Sequence, residues 1–182
     1  MGMVLTVPRY TIAELDEFPP DGNRYELLDG VLMVTPSPGS PHQGVATRLA
    51  VELSIAVQKT GLAHVYAPGA VQDFPFTQLE PDILVVSSRR PPDAPWVDMT
   101  EKWLAVEVFS RSSRRYDRDS KRDAYFALGV REVWLADIGD KSVEVCCAPG
   151  GGVVVRDVIE WHLPQLQRTV RIGLNEIFAG LR

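Results

Sequence analysis

Two residues of this chain carry charge where the surrounding sequence predicts burial. Glu107 sits inside the run Trp103-Leu104-Ala105-Val106-Glu107-Val108-Phe109. Apolarity that continuous, rather than alternating, predicts a strand covered on both faces. An ionised carboxylate is too costly there unless a cation, a metal or strong donors meet it. Lys121 lies in the polar stretch that follows. From Asp117 onward, helical spacing places Asp117, Lys121, Ala124 or Tyr125, and Leu128 on one face. The ammonium therefore shares the side of the helix that docks on the sheet. A carboxylate on a central strand and an ammonium on the inner face of the next helix can meet, and that pairing suggests a site. The plainer alternatives are a buried structural ion pair for Glu107 and an Asp117–Lys121 helix pair, worth about 0.2–0.5 kcal/mol, for Lys121.

The elements that must hold these residues can be read from the remaining pattern. Thr11-Ile12-Ala13-Glu14 has the form of a capping box and predicts a short helix through Phe18, stopped by Pro19-Pro20-Asp21-Gly22. Two apolar runs, 24–28 and 31–34, flank Asp29-Gly30 and predict a tight hairpin. A proline-, serine- and glycine-rich loop at 36–41 leads to a helix over 42–59, with Val45, Leu49, Leu53 and Ala56 on its apolar face and Gly61 beyond its end. Strands are predicted at 63–74, 83–87 and 103–110, then a helix at 117–128 and a strand at 130–136. A hairpin over 142–148 and 153–158, and a short helix at 174–178, complete the chain. The central order is helix, three strands, helix, strand. This predicts an α/β core of mixed sheet with further hairpins at the edges. No glycine-rich phosphate loop follows any strand.

The totals narrow the function classes. The 182 residues suit one domain, 1–182, with a sizeable core. A net charge of −5 argues against nucleic-acid binding by bulk charge but leaves a local basic patch open. The two cysteines, Cys146 and Cys147, are adjacent, so no disulfide framework is expected and no Cys/His cluster has zinc spacing. The N-terminal residues lack a basic segment followed by an apolar one, and no apolar stretch reaches membrane-spanning length. A cytoplasmic protein without a membrane partner is the expectation.

Several segments, taken in order, resemble the Uma-type branch of the PD-(D/E)xK nuclease superfamily. They are RYELLDG at 24–30, His42 at the helix start, EPDILVV at 80–86, LAVEVFS at 104–110, the Asp117–Lys121–Tyr125 spacing, and GVREVWLAD at 129–137. The resemblance implies a restriction-endonuclease-like core (α-β-β-β-α-β, a mixed sheet flanked by helices) with added N- and C-terminal hairpins. It also implies a metal-dependent endonuclease acting on DNA. In that assignment Asp82 and Glu107 bind Mg²⁺ (or Mn²⁺), the backbone carbonyl of Phe109 adds an oxygen, and Lys121 positions or deprotonates the attacking water. Two positions depart from the pattern. Phe109 stands where the superfamily's simplest motif has lysine, so Lys121 is a lysine supplied from the helix instead. Arg111 stands where the branch usually has proline. A nuclease of this size often pairs as a homodimer, so that two sites cut two strands.

Other residues carry two readings each. Glu26 is an accessory carboxylate or a hairpin ion pair to Arg24. His42 touches substrate or caps its helix. Asp117 orients Lys121 or simply suits a helix N-terminus. Tyr125 reads as core. Arg111, Arg114, Arg115 and Arg118, directly after the Glu107 strand, form the candidate phosphate-binding run, with a solvated charged face as the alternative. A non-catalytic nucleic-acid-binding or interaction module on a nuclease scaffold is the rival function.

Overall fold

In chain order the elements are α1 (Ile12–Leu15), β1 (Arg24–Leu28), β2 (Val31–Thr35), α2 (Ser40–Ala56), β3 (Ala63–Tyr66), β4 (Val71–Asp73), β5 (Thr77–Leu79) and β6 (Ile83–Ser87). They continue with β7 (Lys102–Phe109), α3 (Arg115–Ala127), β8 (Val133–Asp137), β9 (Ser142–Ala148), β10 (Gly151–Val155), β11 (Val158–Leu163), β12 (Arg168–Gly173) and α4 (Leu174–Ile177). This computed structural model describes residues 8–109, 115–163 and 167–181, with backbone alone for 115–118.

The two most apolar runs occupy the middle of a six-stranded sheet of order β10-β9-β8-β7-β6-β3. Every residue of β6 and β7 is buried. β7 and β8 are parallel, and every other pairing in this sheet is antiparallel. The crossover between the parallel pair is α3, as parallel strands require. The expected core order is thus realised as α2, β3, β6, β7, α3 and β8.

Strand alternation sorts the core into two layers. Leu104, Val106 and Val108 of β7 pack with Val45, Leu49 and Leu53 of α2 and with Trp161 of β11. Ala105 and Phe109 face the other way, into a layer with Tyr125 of α3 and with Val71 and Leu79 of a second sheet. That smaller sheet has the order β2-β1-β5-β4. Glu107 lies between Ala105 and Phe109 in the alternation, so its side chain belongs to the α3 layer.

The local signals hold where they are chemical. The Glu14 carboxylate accepts the Thr11 N–H and hydroxyl, each at 2.7 Å. Asp29 and Gly30, both with positive φ (52° and 79°), turn β1 into β2 as a two-residue hairpin requires.

Two expectations fail for identifiable reasons, and one strand has no signal in the sequence. The single strand over 63–74 is broken: β3 pairs with β6, whereas β4 belongs to the smaller sheet. Pro68 lacks the N–H a ladder needs, and at Gly69 the backbone lies so close to β6 that an added Cβ would sit 2.4 Å from that of Leu84. The hairpin strand over 153–158 ends at Val155. Residues 158–163 instead pair with 168–173 as a separate hairpin, which turns Ile159, Trp161 and Leu163 onto the α2 side of the large sheet. β5, too short to show a period, went unassigned. Among the described residues no helix is long and apolar enough to cross a membrane.

Candidate active site

Strand register brings the two key carboxylates together. Ile83 pairs with Val106, so Asp82, one residue before β6, lies beside the far end of β7. The Val108 N–H donates to Asp82 Oδ2 at 2.8 Å. Above Glu107, α3 presents Lys121 and Tyr125, four residues apart and so on one face. The Tyr125 hydroxyl donates to Glu107 Oε1 at 2.5 Å, and Lys121 Nζ lies 3.4 Å from the same oxygen.

β1 closes the site from the smaller sheet. Arg24 and Glu26, two residues apart, point from one face of this strand. Glu26 is fully buried; its Oε2 takes Lys121 Nζ at 2.6 Å and its Oε1 the Glu80 N–H at 2.8 Å. Arg24 donates to Asp82 Oδ1 and to the Glu80 carbonyl, both at 3.1 Å. His42, in the first turn of α2, reaches across the end of the sheet to place Nε2 3.0 Å from Asp82 Oδ2. Its Nδ1 is buried with no hydrogen-bond partner among the described residues.

Charge balance differs between the two strand carboxylates. Burial pushes Asp82 upward, but His42, the Val108 N–H and Arg24 together outweigh it and hold Asp82 below the usual carboxylate range. Glu107 goes the other way. Burial is the largest cause, Lys121 opposes it, and the nearby Asp82 and Glu26 add to it, leaving Glu107 raised to about 7. Burial lowers Lys121, yet Glu107 and Glu26 more than restore it, so its ammonium is held above the ordinary lysine value. Tyr125, buried beside two carboxylates, is pushed well above 10 and stays a hydroxyl donor. The site is therefore short of positive charge at Glu107.

The structure brings together Asp82, Glu107, Lys121, Glu26 and His42. Glu26 meets Lys121 rather than Arg24, and His42 meets Asp82 rather than serving its own helix. The backbone oxygen expected of Phe109 faces the other edge of β7. The Phe109 carbonyl accepts the Ile138 N–H at 3.0 Å on the β8 side. A strand residue turns its N–H and C=O to the same edge, so it is Val108, whose N–H meets Asp82, that turns its carbonyl toward the site. Arg111 and Arg114 lie outside the described residues, as do the side chains of Arg115, Asp117 and Arg118. Two residues of the cluster have contacts that the sequence did not assign to them. Tyr125 reads as core in the sequence, yet its place four residues after Lys121 puts it on the helix face that meets Glu107. Arg24 was assigned to Glu26, and only the packing of one sheet on the other gives it Asp82.

The donor set can be weighed against a divalent cation. Among the described residues no three His, Cys, Asp or Glu side chains are arranged to hold a metal ion. Two carboxylates at adjoining strand ends and a carbonyl on the same edge form an all-oxygen set. That set fits Mg²⁺, which takes one or two carboxylates and keeps several waters.

A mixed sheet flanked by helices, with acids at the ends of two central strands and a lysine on the adjoining helix, has a nuclease-like α/β fold. The chain belongs to the Uma2 family: the family model described as "Putative restriction endonuclease" matches residues 12–181. Among solved structures it is similar to one titled as a putative nuclease belonging to DUF820, from Anabaena variabilis. The TM-score is 0.77 at 15% identity, covering 95% of this chain and 99% of that one. That likeness is one of fold. No curated protein matches the chain. Family membership supports nuclease function in general terms.

Proposed function

We propose that this protein is a metal-dependent endonuclease that hydrolyses phosphodiester bonds in DNA. The observation that carries the reading is that Lys121 reaches the buried Glu107 from α3, while the buried Asp82, held by the Val108 N–H of the Glu107 strand, lies near enough for its charge to act on Glu107. Asp82, Glu107 and the Val108 carbonyl are the residues that would hold Mg²⁺ or Mn²⁺. The cation would supply positive charge to acidify water and to offset the charge of the phosphate.

The chain's own residues have separable tasks. Lys121, held protonated by two carboxylates, acts as a cationic donor to the attacking water or a phosphate oxygen, not as a base. Glu26 fixes where that ammonium sits. Tyr125 holds the Glu107 carboxylate by one oxygen. His42 and the Val108 N–H hold Asp82. Two such sites in a two-fold dimer would cut both strands.

One observation favours a second reading, a non-catalytic binding scaffold: both oxygens of Asp82 already have protein donors. Cleavage of supercoiled plasmid with Mg²⁺ or Mn²⁺ separates the two. The nuclease reading expects nicking that chelator abolishes and that Asp82→Ala, Glu107→Ala and Lys121→Ala each lose while remaining folded. Equal activity in the wild type and all three variants, or none in any, favours the scaffold.

A further inference from the structure

We infer that Arg24 is a phosphate-contacting residue of this site, receiving a non-bridging oxygen of the phosphodiester while it holds Asp82. The inference rests on the nuclease reading above and gives a role in it to a residue that the sequence alone paired only with Glu26.

Two observations lead to it. Arg24 stands at the boundary between the buried acids and solvent: its side chain is 20% exposed, against 4% for Asp82. Its two contacts among the described residues, Asp82 Oδ1 and the Glu80 carbonyl, use two of the five N–H donors of a guanidinium. An anion approaching Asp82 and Glu107 meets three carboxylates, Glu26 included, and needs cations at the rim. Lys121 is more enclosed than Arg24, at 12% exposed, and lies against two of those carboxylates.

A buried ion pair is generally no better than well-packed apolar residues of the same volume. A planar fork with donors to spare is instead the group that grips a carboxylate and a phosphate at once.

The test is the salt dependence of binding to a fluorescent 20-base-pair duplex, by anisotropy in chelator, so that no cleavage alters the probe. Each phosphate contact contributes about 0.9 to the slope of log K against log salt. Arg24→Met is expected to make the slope shallower by about one. Arg24→Lys, which keeps the charge, retains the wild-type slope. Should Arg24→Met not fold, Arg24→Gln, still able to donate to Asp82, is expected to show the same loss of slope. A wild-type slope in the Met or Gln variant overturns the inference and assigns Arg24 to holding Asp82 alone. Wild-type protein that binds no duplex at low salt overturns the nuclease reading, and this inference with it.

Discussion

Replacing Glu107 with glutamine should stabilise the metal-free protein at neutral and alkaline pH, even though the same change removes its proposed ligand. The Glu107 carboxyl is raised to about 7 from an ordinary 4.5, first by burial and then by Asp82 and Glu26. A carboxyl with a raised folded-state pKa binds its proton more tightly in the folded protein than in the unfolded chain. Its contribution is most favourable below 4.5, is lost progressively from there to about 7, and stays lost above. The gap between the two values, at about 1.4 kcal/mol per pH unit, amounts to about 3 kcal/mol. Glutamine cannot ionise, keeps an oxygen for the Tyr125 hydroxyl, and leaves Lys121 paired with Glu26. Asp82 does not blur the comparison: its lowered pKa gives stability that is lost only as pH falls below the ordinary carboxylate range. Urea denaturation of both proteins in chelator, from pH 4.5 to 8.5, provides the measurement. The stability of the variant relative to wild type should rise by about 3 kcal/mol across that range, most of it before pH 7.5. A difference that does not change with pH would refute the reasoning, because Glu107 would then be comfortably ionised against Lys121.

Other consequences follow from the same contacts. Tyr125→Phe removes the hydroxyl donor from a fully buried carboxylate, so it should cost about 1–3 kcal/mol in chemical denaturation near pH 8. His42→Ala strips one donor from Asp82 and should reduce metal-supported cleavage about 10–100-fold with little change in the circular dichroism spectrum; full activity would reduce His42 to a packing residue. Gly69→Ala places a Cβ against that of Leu84 and should lower stability by about 1–3 kcal/mol. Leu53→Ala, in the fully buried face of α2, should cost about 2–5 kcal/mol, and a loss below 1 kcal/mol would mean that this helix is not packed as described.

Much of the candidate site was legible because burial and charge conflict in the sequence itself. An acid within seven mostly apolar residues, and a lysine on the apolar side of the following helix, announce that they must find partners. The continuous apolarity of 103–109 likewise foretold a strand that is buried on both faces. The turn at Asp29-Gly30 and the box at Thr11–Glu14 were readable for a local reason: their chemistry is complete within four residues.

What the sequence determined by itself, then, was the order of the core elements and the identity of the residues that could not be buried alone. Which charge meets which was decided only by the tertiary structure. Arg24 passes over its neighbour Glu26 to reach Asp82, 58 residues away, while Glu26 takes Lys121, 95 residues away. Those choices depend on how the small sheet lies against the large one. They depend also on the single-residue register that sets Ile83 opposite Val106 and turns the Val108 edge, not that of Phe109, toward the acids. Neither is encoded in any local period, because hydrogen-bond reach between distant strands exists only once the sheets have packed.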